Sequence, residues 1–260
     1  MNKIEIQKVP ASHGWLWIQH GYRLIMRNPL QAVSLAMTFA LGLFMTMLIP
    51  LGGILLAILV MPVLMAGYMR VCRALEYSEK VEPRLMIAGF QNRTTQLVSL
   101  GGMLLMGILL ISFITIKMGG NELSEILRGF QAQQDPKVLI DALMSPESGL
   151  RLVLLLGFSL FFLLMLTFQF APMLIFFNQM SPREAMLASL QASIRNILPF
   201  SVYSLIIQLI AFVASAIPYE LGLFILLPLG LTSMYVSYRD IFTTPEQTDE
   251  VTKPEGNSPL

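Results

Sequence analysis

Apolar residues dominate this chain in long blocks rather than in the short alternations of a soluble domain. Residues 28–69, 94–116, 152–182 and 196–219 contain no Lys, Arg, Asp or Glu. About 20 apolar residues in a helix cross the roughly 30 Å hydrocarbon layer of a bilayer. The pattern predicts an all-α polytopic membrane protein with six transmembrane helices in three hairpins. The spans are expected at 30–49, 52–70, 97–116, 151–177, 198–217 and 220–238. Pro50 and Gly52-Gly53 predict a tight turn in the first hairpin, because proline starts helices and glycine reaches otherwise closed backbone geometries. The second member of each pair carries an internal proline, at Pro62, Pro172 and Pro228. In a membrane helix such a proline kinks rather than terminates.

A short amphipathic segment precedes each pair. Residues 14–28 place Trp15, Ile18, Tyr22, Ile25 and Met26 at roughly helical spacing, with Arg23 and Arg27 four apart. Aromatic rings with snorkelling basic side chains are the signature of an interfacial helix. Asn28-Pro29 then turns the chain into the first span. Residues 181–197 begin with Ser181-Pro182 and Glu184, a capping-box pattern, and give one apolar face of Met186, Leu187, Leu190, Ile194 and Ile197. Residues 83–92 repeat the theme more loosely. Surface helix, span, span is therefore a candidate threefold internal repeat. Its junctions, Arg27-Asn28, Asn92-Arg93 and Arg195-Asn196, form a candidate lipid-headgroup or partner surface. Arginine forks beside amide donors suit phosphate. Membrane anchoring beneath the bundle explains the same residues without any ligand.

The middle pair is separated by residues 117–150, which predict an outward helical cap. One short helix is expected at 122–133 and another from Asp135-Pro136. The carboxylates Glu122, Glu125, Asp135, Asp141 and Glu147 have no calcium-loop or glycosidase spacing. Residues 1–240 read as one membrane domain and 241–260 as a polar, disordered cytoplasmic tail.

Composition agrees. Of 260 residues, 55% are hydrophobic and 13% charged, whereas soluble domains carry about 25% charged residues. Net charge is +1, so the distribution of charge is more telling than its sum. Lys and Arg concentrate before the first span, between the second and third, and between the fourth and fifth, while the first and third hairpin tips have none. The positive-inside rule then places both termini in the cytoplasm of a bacterial inner membrane. The single cysteine, Cys72, excludes an intrachain disulfide. The first residues lack the apolar stretch of a cleavable signal peptide, so the first span is expected to act as an uncleaved insertion signal.

Chemistry is sparse. There is no nucleophile elbow, P-loop, HExxH or dinucleotide glycine pattern. His13 and His20 lack spaced ligand partners, and no ionisable residue sits deep in a span. Gln169 and Gln208 are the strongest candidates for interhelical hydrogen bonds.

VPASHGWLWIQHGYRLIMRNPL, at residues 9–30, resembles the opening of an uncharacterised family of proteobacterial inner-membrane proteins of Burkholderia and Neisseria type. The likeness continues through Met61-Pro62 to Arg70-Val71-Cys72-Arg73-Ala74 and covers most of the chain except the tail. Ala171-Pro172 through Ser181-Pro182 to Arg195-Asn196 is more weakly similar to the membrane domain of glycerophosphodiester-handling proteins. That group's metal-ligand set is absent here, so its chemistry does not carry over.

Two functions remain open. One is a non-enzymatic inner-membrane scaffold or accessory protein for envelope or lipid organisation. Its expected partners are membrane lipids and a membrane or periplasmic protein, with no nucleic acid and no cofactor. The other is a lipid or small-solute transporter using the Arg-Asn junctions. A membrane-embedded enzyme is the least supported class.

Overall fold

A computed structural model of the chain describes residues 5–133, 137, 149–216 and 222–242. The described residues form helices α1 (His13–Arg27), α2 (Pro29–Met47), α3 (Gly53–Glu76), α4 (Ala88–Gln91), α5 (Thr94–Gln133), α6 (Leu150–Phe168), α7 (Ala171–Asn178), α8 (Pro182–Arg195), α9 (Ile197–Ser215) and α10 (Leu223–Phe242). A 3₁₀ turn, Pro83–Ile87, leads into α4.

The expected six spans in three hairpins are corrected to five. Among the described residues, Pro29–Met47, Gly53–Glu76, Thr94–Asn121, Leu150–Asn178 and Ile197–Ser215 are long and apolar enough to cross a membrane. The stretch expected as a sixth span becomes α10, which does not qualify. Its Leu- and Ile-rich start gives way after Leu231 to Thr232, Ser233, Ser237, Arg239 and Asp240. Those three hydroxyl residues are buried against protein, and α10 packs along α1, α2 and α3. The threefold repeat thus loses its third hairpin. The surface segment of its second unit is also a 3₁₀ turn and one helical turn rather than an amphipathic helix.

Local chemistry sets the element ends. Asn28 at φ −152° caps α2, its side-chain oxygen accepting from Gln31 N at 3.4 Å, with Pro29 at the first helical position. Ser181 and Glu184 form the reciprocal capping box that starts α8. Pro62 and Pro228 lie inside α3 and α10. Gly120, at φ 55°, breaks α5 where the span ends and a further helical stretch begins. Most of 134–148, including the helix expected from Asp135, lies outside the described residues, as do 217–221 at the third hairpin tip and 243–260 of the tail. Ile241 and Phe242 remain helical and buried.

The fourth span breaks at Gln169–Phe170, just before Pro172. Ser189 enters the break. Its Oγ accepts from Phe170 N at 3.0 Å and donates to the Leu166 carbonyl at 2.8 Å. A hydroxyl from α8 therefore replaces the helical bond between residues 166 and 170, a recognised cause of kinks. It also inverts the expected face of α8. Ala185, Ser189, Ala192 and Ser193 are buried, while Leu187 and Ile194 are exposed. Small residues turned towards neighbouring helices are the rule in membranes, where lipid is as apolar as leucine.

The core sits at one end of the bundle. Trp17, Tyr68, Phe170, Met173, Leu174, Ile175 and Ile241 are fully buried there. Aromatic rings run through it continuously: Trp17 lies 4.9 Å from Phe200, Phe170 5.6 Å from Phe200 and 5.4 Å from Phe242, and Tyr238 5.5 Å from Phe242. Each such pair adds about 0.5–1.5 kcal/mol beyond its burial. Towards the other end the spans present Phe44, Ile54, Phe113, Leu209 and Phe212 outward, as lipid-facing helices do.

α1 closes this core. It buries Trp17, Ile18, Gly21, Leu24 and Ile25 and leaves Trp15, Tyr22 and Met26 exposed. The Trp17 indole donates to Asp240 Oδ2 at 2.7 Å, and His13 Nδ1 lies 2.7 Å from the same oxygen. Ahead of α1, Gln7 N donates to the Ile241 carbonyl at 2.9 Å, so the described ends of the chain meet. This end is basic: Arg27, Arg70, Arg73, Arg93 and Arg239 all lie on the segments that terminate here.

An arginine-lined cleft as the candidate functional site

Helix α3 delivers Arg70 and Arg73 one turn apart to the basic end, and Tyr77 follows its last turn. The 3₁₀–α4 segment folds back against α3. It can do so only because of two glycines. A Cβ on Gly67 would lie 2.0 Å from the Met86 carbonyl oxygen, and one on Gly89 would lie 2.1 Å from that of Val63. This close crossing sets Gln91, Asn92 and Arg93 beside the end of α3. From the other side, α7 ends at Gln179 in the left-handed region, φ 57°. Arg93 Nη2 donates to Gln179 Oε1 at 3.0 Å, tying the start of α5 to the end of α7.

Two adjoining cavities result, and Arg73 and Phe177 wall both. The larger, about 380 Å³, is completed by Arg70, Gln91, Asn92, Arg93, Phe176 and Gln179. The smaller, about 220 Å³, is completed by Tyr77, Asn178, Tyr235, Tyr238, Arg239 and Phe242. Three positive-φ residues, Ser78, Arg93 and Gln179, lie in or beside this cleft. A non-glycine residue held there costs about 1–2 kcal/mol, and such strain gathers at functional sites.

Electrostatically the cavities differ. In the smaller, Arg239 is ion-paired with Glu76, and the Tyr235 hydroxyl donates to the same carboxylate at 2.7 Å. Tyr238 donates to Asn178 Oδ1. The Arg239 charge is therefore balanced. In the larger, Arg70 Nη2 meets Glu79 Oε2 at 2.7 Å, and Nη1 is buried with no acceptor among the described residues. Arg73 stacks at 5.7 Å over Tyr77 and 5.6 Å over Phe177, and among the described residues no carboxylate lines this cavity. Away from the cleft, burial first, then the Arg23 and Arg239 guanidiniums, pull His20 below its ordinary pKa of 6.5, with Asp240 opposing.

The six residues picked from sequence are not all gathered. Asn92 and Arg93 line the larger cavity. Arg27 caps α3 beside the smaller one, donating to the carbonyls of Leu75, at 3.1 Å, and Glu76. A cation at a helix C-terminus is favourable. Asn28 caps α2. Arg195 is exposed and lines neither cavity. Asn196 is buried, accepting from Val9 N at 2.9 Å and donating to the Gln7 carbonyl at 3.0 Å. Sequence reading missed Arg70, Arg73, Gln179, Tyr238 and Arg239 as site residues. The available signal was the i, i+3 pair Arg70 and Arg73 at the end of a span.

Among the described residues no group of three or more His, Cys, Asp or Glu could hold a metal ion. No family model matches the chain, and no solved structure matches it. It is 28% identical over 263 residues to a probable inner membrane protein of Burkholderia thailandensis, covering 94% of this chain and 96% of that protein. That comparison supports an inner-membrane protein. With five candidate spans, the sequence resemblance is borne out: this is a multi-pass inner-membrane protein similar over nearly its whole length to one from Burkholderia.

Proposed function

We propose that the protein is a non-enzymatic scaffold or accessory protein that organises lipid at the inner leaflet, with the arginine-lined cleft as its headgroup site. The observation that carries this is the larger cavity: three guanidiniums line it, and among the described residues one carboxylate, Glu79, pairs with them. Guanidiniums in excess of their carboxylate partners favour an anionic headgroup that accepts charged hydrogen bonds from them. The basic end is assigned to the cytoplasmic side, and both termini with it, by its concentration of arginine. Arg27, Asn28, Asn92, Arg93, Arg195 and Asn196 belong to this headgroup-facing end in different ways. Arg27 extends its positive surface, Asn92 and Arg93 enter the cleft, Asn28 and Asn196 hold helix junctions, and Arg195 stands exposed outside the cleft.

The transporter alternative requires a polar passage. The two polar cavities lie at one end, and the groove of about 630 Å³ between α5 and α6 is walled mainly by Ile111, Leu154, Leu155, Phe158 and Phe161. That favours the scaffold reading. Native mass spectrometry of the full chain released from mild detergent is the test. Retained phospholipid is expected on the wild type and should be lost in an Arg70→Gln/Arg73→Gln variant. Equal lipid retention by both proteins would refute the site, and no retained phospholipid on either would refute the reading.

A further inference from the structure

The larger cavity carries more positive charge than a common phosphodiester headgroup can neutralise. Arg70, Arg73 and Arg93 contribute three guanidiniums, and the Glu79 contact with Arg70 is the carboxylate that offsets them. Two positive charges are left over. A phosphodiester brings one negative charge and two free oxygens. A phosphomonoester brings about 1.5 to 2 negative charges near neutral pH and three free oxygens. Resting on the headgroup reading above, we propose that the larger cavity selects lipids with a terminal phosphomonoester headgroup, of the phosphatidate type, over phosphodiester lipids.

Geometry points the same way. The Arg73 guanidinium is held over two rings, Tyr77 and Phe177, so its position is set before a ligand arrives. Arg93 is fixed through Gln179. Arg70 is fixed through Nη2 on Glu79. Three oriented guanidiniums therefore address one space of about 380 Å³. A diester would leave one of them short of an anionic oxygen in a partly desolvated site, where a missing bond to a charged donor is costly. The cavity also opens where a lipid phosphate sits. Phe176 and Phe177 belong to the last turns of the fourth span, Arg70 and Arg73 to those of the second, and Arg93 precedes the third.

The test uses the full-length protein in mild detergent with short-chain phosphatidate, short-chain phosphatidylglycerol and inorganic phosphate as probes, read by binding affinity. Variants are Arg73→Gln, Arg70→Lys, which keeps the charge but removes the second N–H, and Arg195→Gln as a basic residue outside the cleft. Phosphatidate should bind about tenfold tighter than phosphatidylglycerol, the effect of one charged hydrogen bond. Arg73→Gln and Arg70→Lys should each erase most of that preference, and Arg195→Gln should leave it intact. Equal affinity for the two lipids, both weakened by Arg73→Gln, would overturn the monoester selectivity while sparing the headgroup site. Failure of either lipid to bind would overturn both. Inorganic phosphate binding as tightly as phosphatidate would overturn the lipid source. Loss of the preference in Arg195→Gln would reduce the site to a diffuse positive field and overturn its selectivity.

Discussion

Gly89, Ser189 and His20 show how single side chains set the basic end. The crossing that brings Arg93 to Arg70 depends on a missing Cβ at Gly89, beside the backbone oxygen of Val63. That oxygen belongs to a helix and cannot swing away as a side chain would. Gly89→Ala should destabilise the fold by about 1–3 kcal/mol, the usual cost of overpacking, measured by denaturant titration in detergent. His20 titrates with a definite sign. Its folded-state pKa is depressed, chiefly by burial, so folding favours the neutral ring. The associated stability is present above the ordinary value of 6.5 and is lost as pH falls through the folded value. Melting temperatures measured between about pH 7.5 and 5 should fall more steeply with falling pH for the wild type than for His20→Asn.

Among the elements, α1 and α8 were legible in different degrees. Interfacial spacing in residues 14–28 and the Ser181–Glu184 cap both point to helices, and both helices form. Their inward faces were not legible. In a membrane-bound chain, large apolar residues mark lipid as readily as core, so Leu187 and Ile194 face out while Ser189 and Ser193 face in. Ser189→Ala would strand the Phe170 N–H and leave the Leu166 carbonyl with the longer Ser193 hydroxyl contact at 3.4 Å. A loss of about 1–3 kcal/mol is expected for the unsatisfied group, read by the same titration. α1 depends on Asp240, which holds both the Trp17 indole and His13. Asp240→Ala should loosen α1, and hydrogen exchange of residues 13–27 should rise well above wild type. Unchanged exchange would remove Asp240 from that role.

At the scale of the whole molecule, hydrophobic blocks revealed the all-α membrane class and three of the five spans to within two residues at both ends. The miscount came from α10. Its first nine residues are membrane-grade, but Thr232, Ser233 and Ser237 are buried against protein, an environment that hydropathy along the chain does not reveal. The cleft was half legible for a related reason. Arg93 and Asn92 stand out in sequence, whereas Arg70 and Arg73 join them through the crossing set by Gly67 and Gly89, and Gln179 through its bond to Arg93, contacts between segments that sequence order does not reveal. The most direct test of the headgroup site is a high-resolution structure in nanodiscs of bacterial phospholipid, with an antibody fragment to give mass. Phosphoryl density is expected within hydrogen-bond reach, about 3 Å, of the guanidiniums of Arg70, Arg73 and Arg93. A cleft holding only water, with lipid phosphates ordered elsewhere on the protein, would contradict it.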